Sequence, residues 1–224
     1  MFKKIILATL VVISVNSYGQ TINWARLQKT DKHIFNLNTG VEYSLTAGIG
    51  YGYHLKTKIP ILLNAEYSMP FGENLLDDDK SKIGITMQFA KLGNFLFAAK
   101  IQGVFRRFEN DFVRMVNFGS DMSVTGGYYK KKWFVAGEIG FDKAIVTHFK
   151  HGAAYKDAFP NVQDGWYEPS TGGNLYFGIQ SGLSFKQSDL TLRMGQLITQ
   201  DYKTTPNFPI YVQLGYSIKL SSKK

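Results

Sequence analysis

The sequence predicts an all-β chain: an antiparallel, up-and-down transmembrane β-barrel of about ten strands, with eight and twelve as the neighbouring counts. Three observations predict it. Bulky apolar residues alternate with small or polar ones through most of the 224 residues, the period-two mark of strands with unlike faces. Seventeen Phe and 13 Tyr stand beside 22 Gly, a mixture that favours strands and tight turns over helices. The polar face is mainly Gly, Ala, Ser and Thr with isolated charges, which suits a crowded lumen better than a water-facing surface.

The N-terminus comes first. Lys3 and Lys4 precede an uncharged, mainly apolar run from Ile5 to Ile13, and Ser17-Tyr18-Gly19 supplies small residues where a signal peptidase needs them. Residues 1–19 therefore read as an export signal cut before Gln20, leaving 20–224 as the barrel domain. The run is too short for a permanent anchor, and no later stretch reaches eighteen apolar residues, so no helix is expected to span a membrane. Without cysteine, a disulfide scaffold, a thiolate metal site, a cysteine nucleophile and a lipidated N-terminal cysteine are excluded. The net charge of +9 falls to +7 when the two signal lysines leave. The cations are scattered or sit in turns such as Lys130-Lys131-Lys132, so no nucleic-acid partner is expected.

The strands follow in order. From Phe35 to Leu55, ten of eleven odd positions are apolar or aromatic, and none of the ten even ones is a large apolar residue. The same alternation recurs in Ile59–Phe71, Ile83–Ala90, Phe95–Arg106, Val116–Tyr128, Trp133–Asp142, Leu175–Phe185, Leu190–Ile198 and Ile210–Leu220. Nine such segments, most about ten residues long, match tilted membrane strands. Rings gather near strand ends, as at Tyr51 and Tyr53, Tyr67 and Phe71, and Tyr128 and Trp133, where head groups favour them. Short links (Leu55–Lys58, Lys91–Asn94, Lys130–Lys132, Lys186–Asp189) take turns with others, mostly longer: Gly72–Ser81, Arg107–Asp111, 148–173 and Thr199–Pro209. Each class then belongs to one side, short turns periplasmic and longer loops outside. Parity requires a tenth strand upstream of residue 41, and residues 21–29, turning at Thr30-Asp31-Lys32, are the candidate.

The signal before Gln20, the Val41–Leu55 strand with its Gly48-x-Gly50-x-Gly52 face and the closing strand Ile210–Leu220 together resemble the small outer-membrane β-barrel proteins of Gram-negative bacteria. The likeness is one of architecture and covers nearly the whole mature chain. It implies residence in the bacterial outer membrane, with outer-membrane lipid, lipopolysaccharide and an envelope protein as partners. The chain departs from the pattern by continuing past Leu220 through Ser221-Ser222-Lys223-Lys224, where such barrels end on an aromatic residue.

The inner face would carry Glu42, Glu66, Lys100, Arg106, Asp121, Glu138, Asp142 and Arg193, with His54 and Lys219. Unpaired charge in a narrow, poorly hydrated lumen is costly, so these groups are expected to pair; a solute path lined by them is the alternative. Hairpin register sets Lys100 roughly opposite Asp121 on neighbouring strands, with Asp142 across from Asp121 on the next. His33, His148 and His151 are expected near the outer rim, with Asp77–Asp79, Asp111, Asp157 and Asp164 nearby. Some ten-stranded outer-membrane barrels are similar in placing a protease's Asp and His there. No H-x-x-x-H pair and no G-x-S-x-G elbow occurs, so no catalytic, metal or cofactor residue is assigned. The 148–173 loop carries Tyr155, Phe159, Trp166 and Tyr167, too aromatic for a passive linker, and is read as a lid or a binding surface. The reading is a filled barrel with a structural or interaction role in the envelope. A narrow pore for small solutes and a rim enzyme acting on lipid or peptide are the alternatives.

Overall fold

The computed structural model describes residues 21–42, 44–70, 78–170, 172–202 and 208–221, apart from the side chains of residues 42 and 44. The strands are β1 (Asp31–Glu42), β2 (Ser44–Leu55), β3 (Ile61–Pro70), β4 (Asp78–Leu92), β5 (Phe95–Glu109), β6 (Val113–Tyr129) and β7 (Trp133–His151). A short helix α1 (Ala153–Ala158) and a three-residue strand β8 (Gly165–Tyr167) follow, then β9 (Gly173–Phe185), β10 (Ser188–Thr199) and β11 (Ile210–Ser221). Each barrel strand pairs antiparallel with its neighbours in sequence, β9 with β7, and β11 returns to β1. Ten strands thus close an up-and-down barrel without a free edge. β8 lies outside the ring, paired with β7 at Thr147–Phe149.

The tenth strand is Asp31–Glu42. Residues 21–29, which parity nominated, hold one turn of 3-10 helix at Trp24–Arg26. The physical reason lies in the register of β1 and β2. Odd residues face odd residues there (Phe35 with Tyr51, Leu37 with Ile49, Val41 with Leu45), so the alternation passes through the hairpin unbroken. Two strands therefore read as one. Ile22 and Trp24, two apart, are both buried inside the barrel. The correction also moves His33, which stands at the start of β1 beside the short turns and not at the looped rim; its Nδ1 lies 2.8 Å from the Tyr51 hydroxyl.

The faces are arranged opposite to those of a water-soluble barrel. Ile83 is 70% exposed, Leu37 60% and Ile139 53%, whereas Asp189 is 0% and Lys219 1% exposed. Apolar side chains cover the outside around the full circumference, far beyond the patches a water-soluble monomer presents. Aromatic rings flank this band. Phe95, Tyr128 and Trp133 adjoin at the short-turn end; Phe105, Phe118 and Trp166 adjoin toward the loops.

Strand lengths differ around the ring. β2 has 12 residues, β6 has 17 and β7 has 19. β9 reaches β7 only as far as Lys143, so Ala144–His151 extend past β9, paired with the start of β6, which is itself followed by β5 and β4 as far as Glu109 and Asp78. A register shift between Phe118 and Gly119, the local signature of a bulge, lies at the foot of this extension.

Candidate functional site

Bonds reach across the lumen between non-adjacent strands. Asp121 on β6 accepts a hydrogen bond from Lys82 Nζ on β4 at 2.6 Å and from the Tyr176 hydroxyl on β9 at 2.7 Å, with Lys100 Nζ at 3.7 Å. Glu138 on β7 pairs with Arg193 on β10, accepts from Gln180 on β9, and receives the Tyr211 hydroxyl of β11 at 2.5 Å. The Arg193 guanidinium lies over both rings, 4.7 Å from the Tyr211 centroid and 5.1 Å from that of Tyr176, and the two rings meet edge to face. These contacts form one continuous polar belt from β4 to β11. Each carboxylate is matched by a cation and a neutral donor, the condition under which buried charge is tolerated.

Glycines make room for the belt. Glu138, Gly178, Gly195 and Tyr211 stand in one cross-strand row. A Cβ at Gly178 or Gly195 would lie 2.4 Å from the Tyr211 hydroxyl, so the tyrosine lies flat over both and reaches a carboxylate three strands away. Tyr176 passes over Gly140 in the same way, where a Cβ would lie 2.2 Å from its ring.

Above the belt, Arg106 grips both oxygens of Asp142 and donates to Asn117 Oδ1 at 3.0 Å. Gln102 donates to Glu66 at 3.2 Å. Glu66, Lys100, Arg106, Asp121, Glu138, Asp142 and Arg193 thus all face the interior, while the side chain of Glu42 lies outside the described residues. Lys100 stands opposite Ser123 and Asp121 opposite Gln102, two residues from direct register, and Lys100 still reaches Asp121 on the diagonal. The principal cation on Asp121 is Lys82, one inward step before the alternation counted from Ile83. Tyr176 lies between the outward Leu175 and Phe177, and Tyr211 between Ile210 and Val212, so parity turns both rings inward, where their bulk departs from the small and polar character of that face.

At the short-turn end the segment Thr21–Arg26 fills the barrel. Thr21, Ile22, Asn23 and Trp24 are buried, and Ile22 and Trp24 join Ile34, Leu62, Leu96, Ala98, Tyr129, Phe134 and Ala136 in one apolar cluster. Asn23 Nδ2 donates to the Lys130 carbonyl at 2.7 Å and to Ser184 Oγ at 2.9 Å. The Asn23 amide donates to Asp189 at 3.2 Å, and Lys219 pairs with that carboxylate at 2.6 Å. Arg26 caps the end by donating to the carbonyls of Lys186 and Lys131.

At the loop end the 152–170 segment folds onto the extension of β7. Asp164 accepts from the His151 amide at 2.8 Å, His151 Nδ1 at 3.0 Å and Lys156 Nζ at 2.6 Å. Led by the amide bond, these donors hold its carboxyl well below the ordinary range. Tyr155 stacks on His151 at 5.0 Å and meets Phe159 at 4.9 Å. Trp166 packs on His148 at 4.9 Å and Tyr167 on Phe149 at 5.5 Å. Phe159, Trp166 and Tyr167 remain exposed. Lys143 Nζ pins the far end of the loop by donating to the carbonyls of Pro169 and Ser170. Among the described residues no group of three or more His, Asp or Glu is placed to hold a metal ion. Asp77 lies outside the described residues, while Asp78 and Asp79 open β4.

The closed ten-stranded, up-and-down architecture with an apolar exterior resembles that of the outer-membrane β-barrel proteins. No family model matches the chain, and no curated protein matches it. Among solved structures, a KdgM porin is similar at a TM-score of 0.44 and 6% sequence identity, over 84% of this chain and 99% of that one.

Proposed function

We propose that this chain is an exported outer-membrane β-barrel of a Gram-negative envelope, with a filled lumen and a structural or interaction role exercised through its looped end. The observation that carries the reading is the belt Lys82–Asp121–Tyr176–Arg193–Glu138–Tyr211, which ties strands together through the barrel axis. A transport path through such a belt would have to break several buried ion pairs at once, each costly to open. The exposed rings of Phe159, Trp166 and Tyr167, held on a braced wall, are the surface offered to outer-membrane lipid, lipopolysaccharide or an envelope protein partner. Planar-bilayer recording on the detergent-folded protein tests this reading. A silent bilayer is expected; a steady ohmic current would favour a narrow small-solute pore instead.

A rim activity is the second reading, favoured by one contact. His151 Nδ1 lies 3.0 Å from Asp164, the carboxylate–imidazole relation a general base requires. Incubation with lipid and peptide substrates, wild type against His151→Asn, tests it. Turnover lost in the variant would support an enzyme, and absence of turnover in both favours the structural role.

A further inference from the structure

The segment that seals the short-turn end enters its seat from inside. Arg26 contacts the outermost turns, at Lys131 and Lys186, and the chain leads from there into β1. In the other direction it goes inward. Trp24 and Ile22 lie within the apolar cluster, and Thr21 borders a small internal cavity of about 30 Å³ shared with Thr86, Lys100, Ser123 and Arg193. That space suits little more than a water molecule. The wall around it is continuous, because all ten barrel strands are hydrogen-bonded to two neighbours. Thr21 thus stands inside a closed wall, on the side of Trp24 that faces Lys100 and Arg193 of the belt, and a polypeptide continuing upstream would have to start from there.

We propose that the barrel closes around a free N-terminus, so that hydrolysis just upstream of Thr21 is a precondition for seating Thr21–Arg26. The inference rests on the reading of residues 1–19 as an export signal, which places the cut at the Gly19–Gln20 bond. Water is the co-reactant and an envelope signal peptidase the catalyst. The amide C–N bond breaks, the Gly19 carbonyl carbon takes the hydroxyl and leaves as a carboxylate on the leader. The Gln20 nitrogen keeps the electron pair of the broken bond, gains both protons of the water (one of them by way of the new carboxyl group) and becomes the new ammonium. Cleavage then does more than release the chain from its leader: it creates the end that the barrel houses as its own seal.

The test compares three chains refolded from urea into detergent. One starts at Gln20, one carries a 20-residue Gly/Ser extension before Gln20, and one carries the same extension after Lys224. Trp133→Phe and Trp166→Phe in all three leave Trp24 as the sole tryptophan. The first and third chains are expected to give a compact, heat-modifiable band, resist trypsin after Arg26 and emit from a buried Trp24. The second should lose the protection at Arg26 and the blue-shifted emission, or fail to form the band. Equal protection in the second chain, or equal loss in both extended chains, overturns the proposal. The intact mass of the protein from envelopes separates the two ideas. A start away from Gln20 refutes the signal assignment, whereas tolerance of the N-terminal extension refutes the housed end.

Discussion

Tyr211 on β11 donates its hydroxyl to Glu138 on β7 at 2.5 Å, crossing β9 and β10 where both present glycine. The bond ties together strands that share no backbone ladder. It also explains why two positions in the middle of good strands lack side chains, which strand propensity alone disfavours.

Gly195→Ala tests the arrangement. Its Cβ would meet the Phe177 carbonyl at 2.2 Å as well as the Tyr211 hydroxyl, so the ring must lift and Glu138 loses a donor. Overpacking of this kind costs roughly 1–3 kcal/mol. Gly103→Ala is the control, since its nearest neighbour is the Ile83 carbonyl at 3.8 Å. Urea unfolding from detergent should separate the two variants, and equal midpoints would refute the fit.

Asp121→Leu should remove the carboxylate that Lys82 and Lys100 share inside the barrel. Removing one partner of a buried pair costs about 3–5 kcal/mol. Adding Lys82→Met should recover part of that loss, because the closer of the two cations that faced Asp121 is then gone. The temperature at which the compact band disappears on gels measures both variants; a double variant no better than the single one would deny the coupling.

Ile139→Lys places a charge on the outer face, where Ile139 is exposed among apolar neighbours. Near a bilayer midplane the expected cost is about 2–4 kcal/mol. Refolding into lipid vesicles should reveal it, and an unaltered folding free energy would argue against contact with hydrocarbon.

Asp164 gives the outer loop a pH signature. Its carboxyl titrates below the ordinary range in the folded loop, so the folded group holds its charge where an unfolded one begins to lose it. The stabilisation it lends is fully present above the usual carboxylate value of about 3.9. It is lost only as pH falls through the lowered folded value. Hydrogen exchange in residues 152–170 should therefore keep its protection pattern from pH 7 to 4.5 and loosen in stronger acid. Asp164→Asn should loosen the loop already at neutral pH.

What the sequence disclosed follows from where the physics is local. The facing of each side chain is a matter of parity, so Glu66, Lys100, Asp121 and Arg193 could be placed inward from one strand at a time. Pairing across the axis depends on how strands are staggered around the barrel, which no single strand records. Hence Lys82 and Tyr176 on Asp121, and Tyr211 on Glu138, emerge only in three dimensions. The β1–β2 hairpin was hidden by the opposite effect: its register preserves parity, and periodicity carries no mark of the reversal. Residues 21–29 have no period of their own because both Ile22 and Trp24 are surrounded by protein.

The unequal strands leave the outer connection a place to attach. β7 exceeds β2 by seven residues, about 23 Å of extended chain before tilt, and the ledge formed by β1 and β2 ends in a hairpin joined across residue 43. Among the described residues, the rim at β7 therefore carries more extended backbone than the rim at β2. That added length leaves β7 an edge beyond Lys143 that β9 does not use, and Gly165–Tyr167 occupies it at Thr147–Phe149, so the outer connection is anchored as a strand of the same sheet.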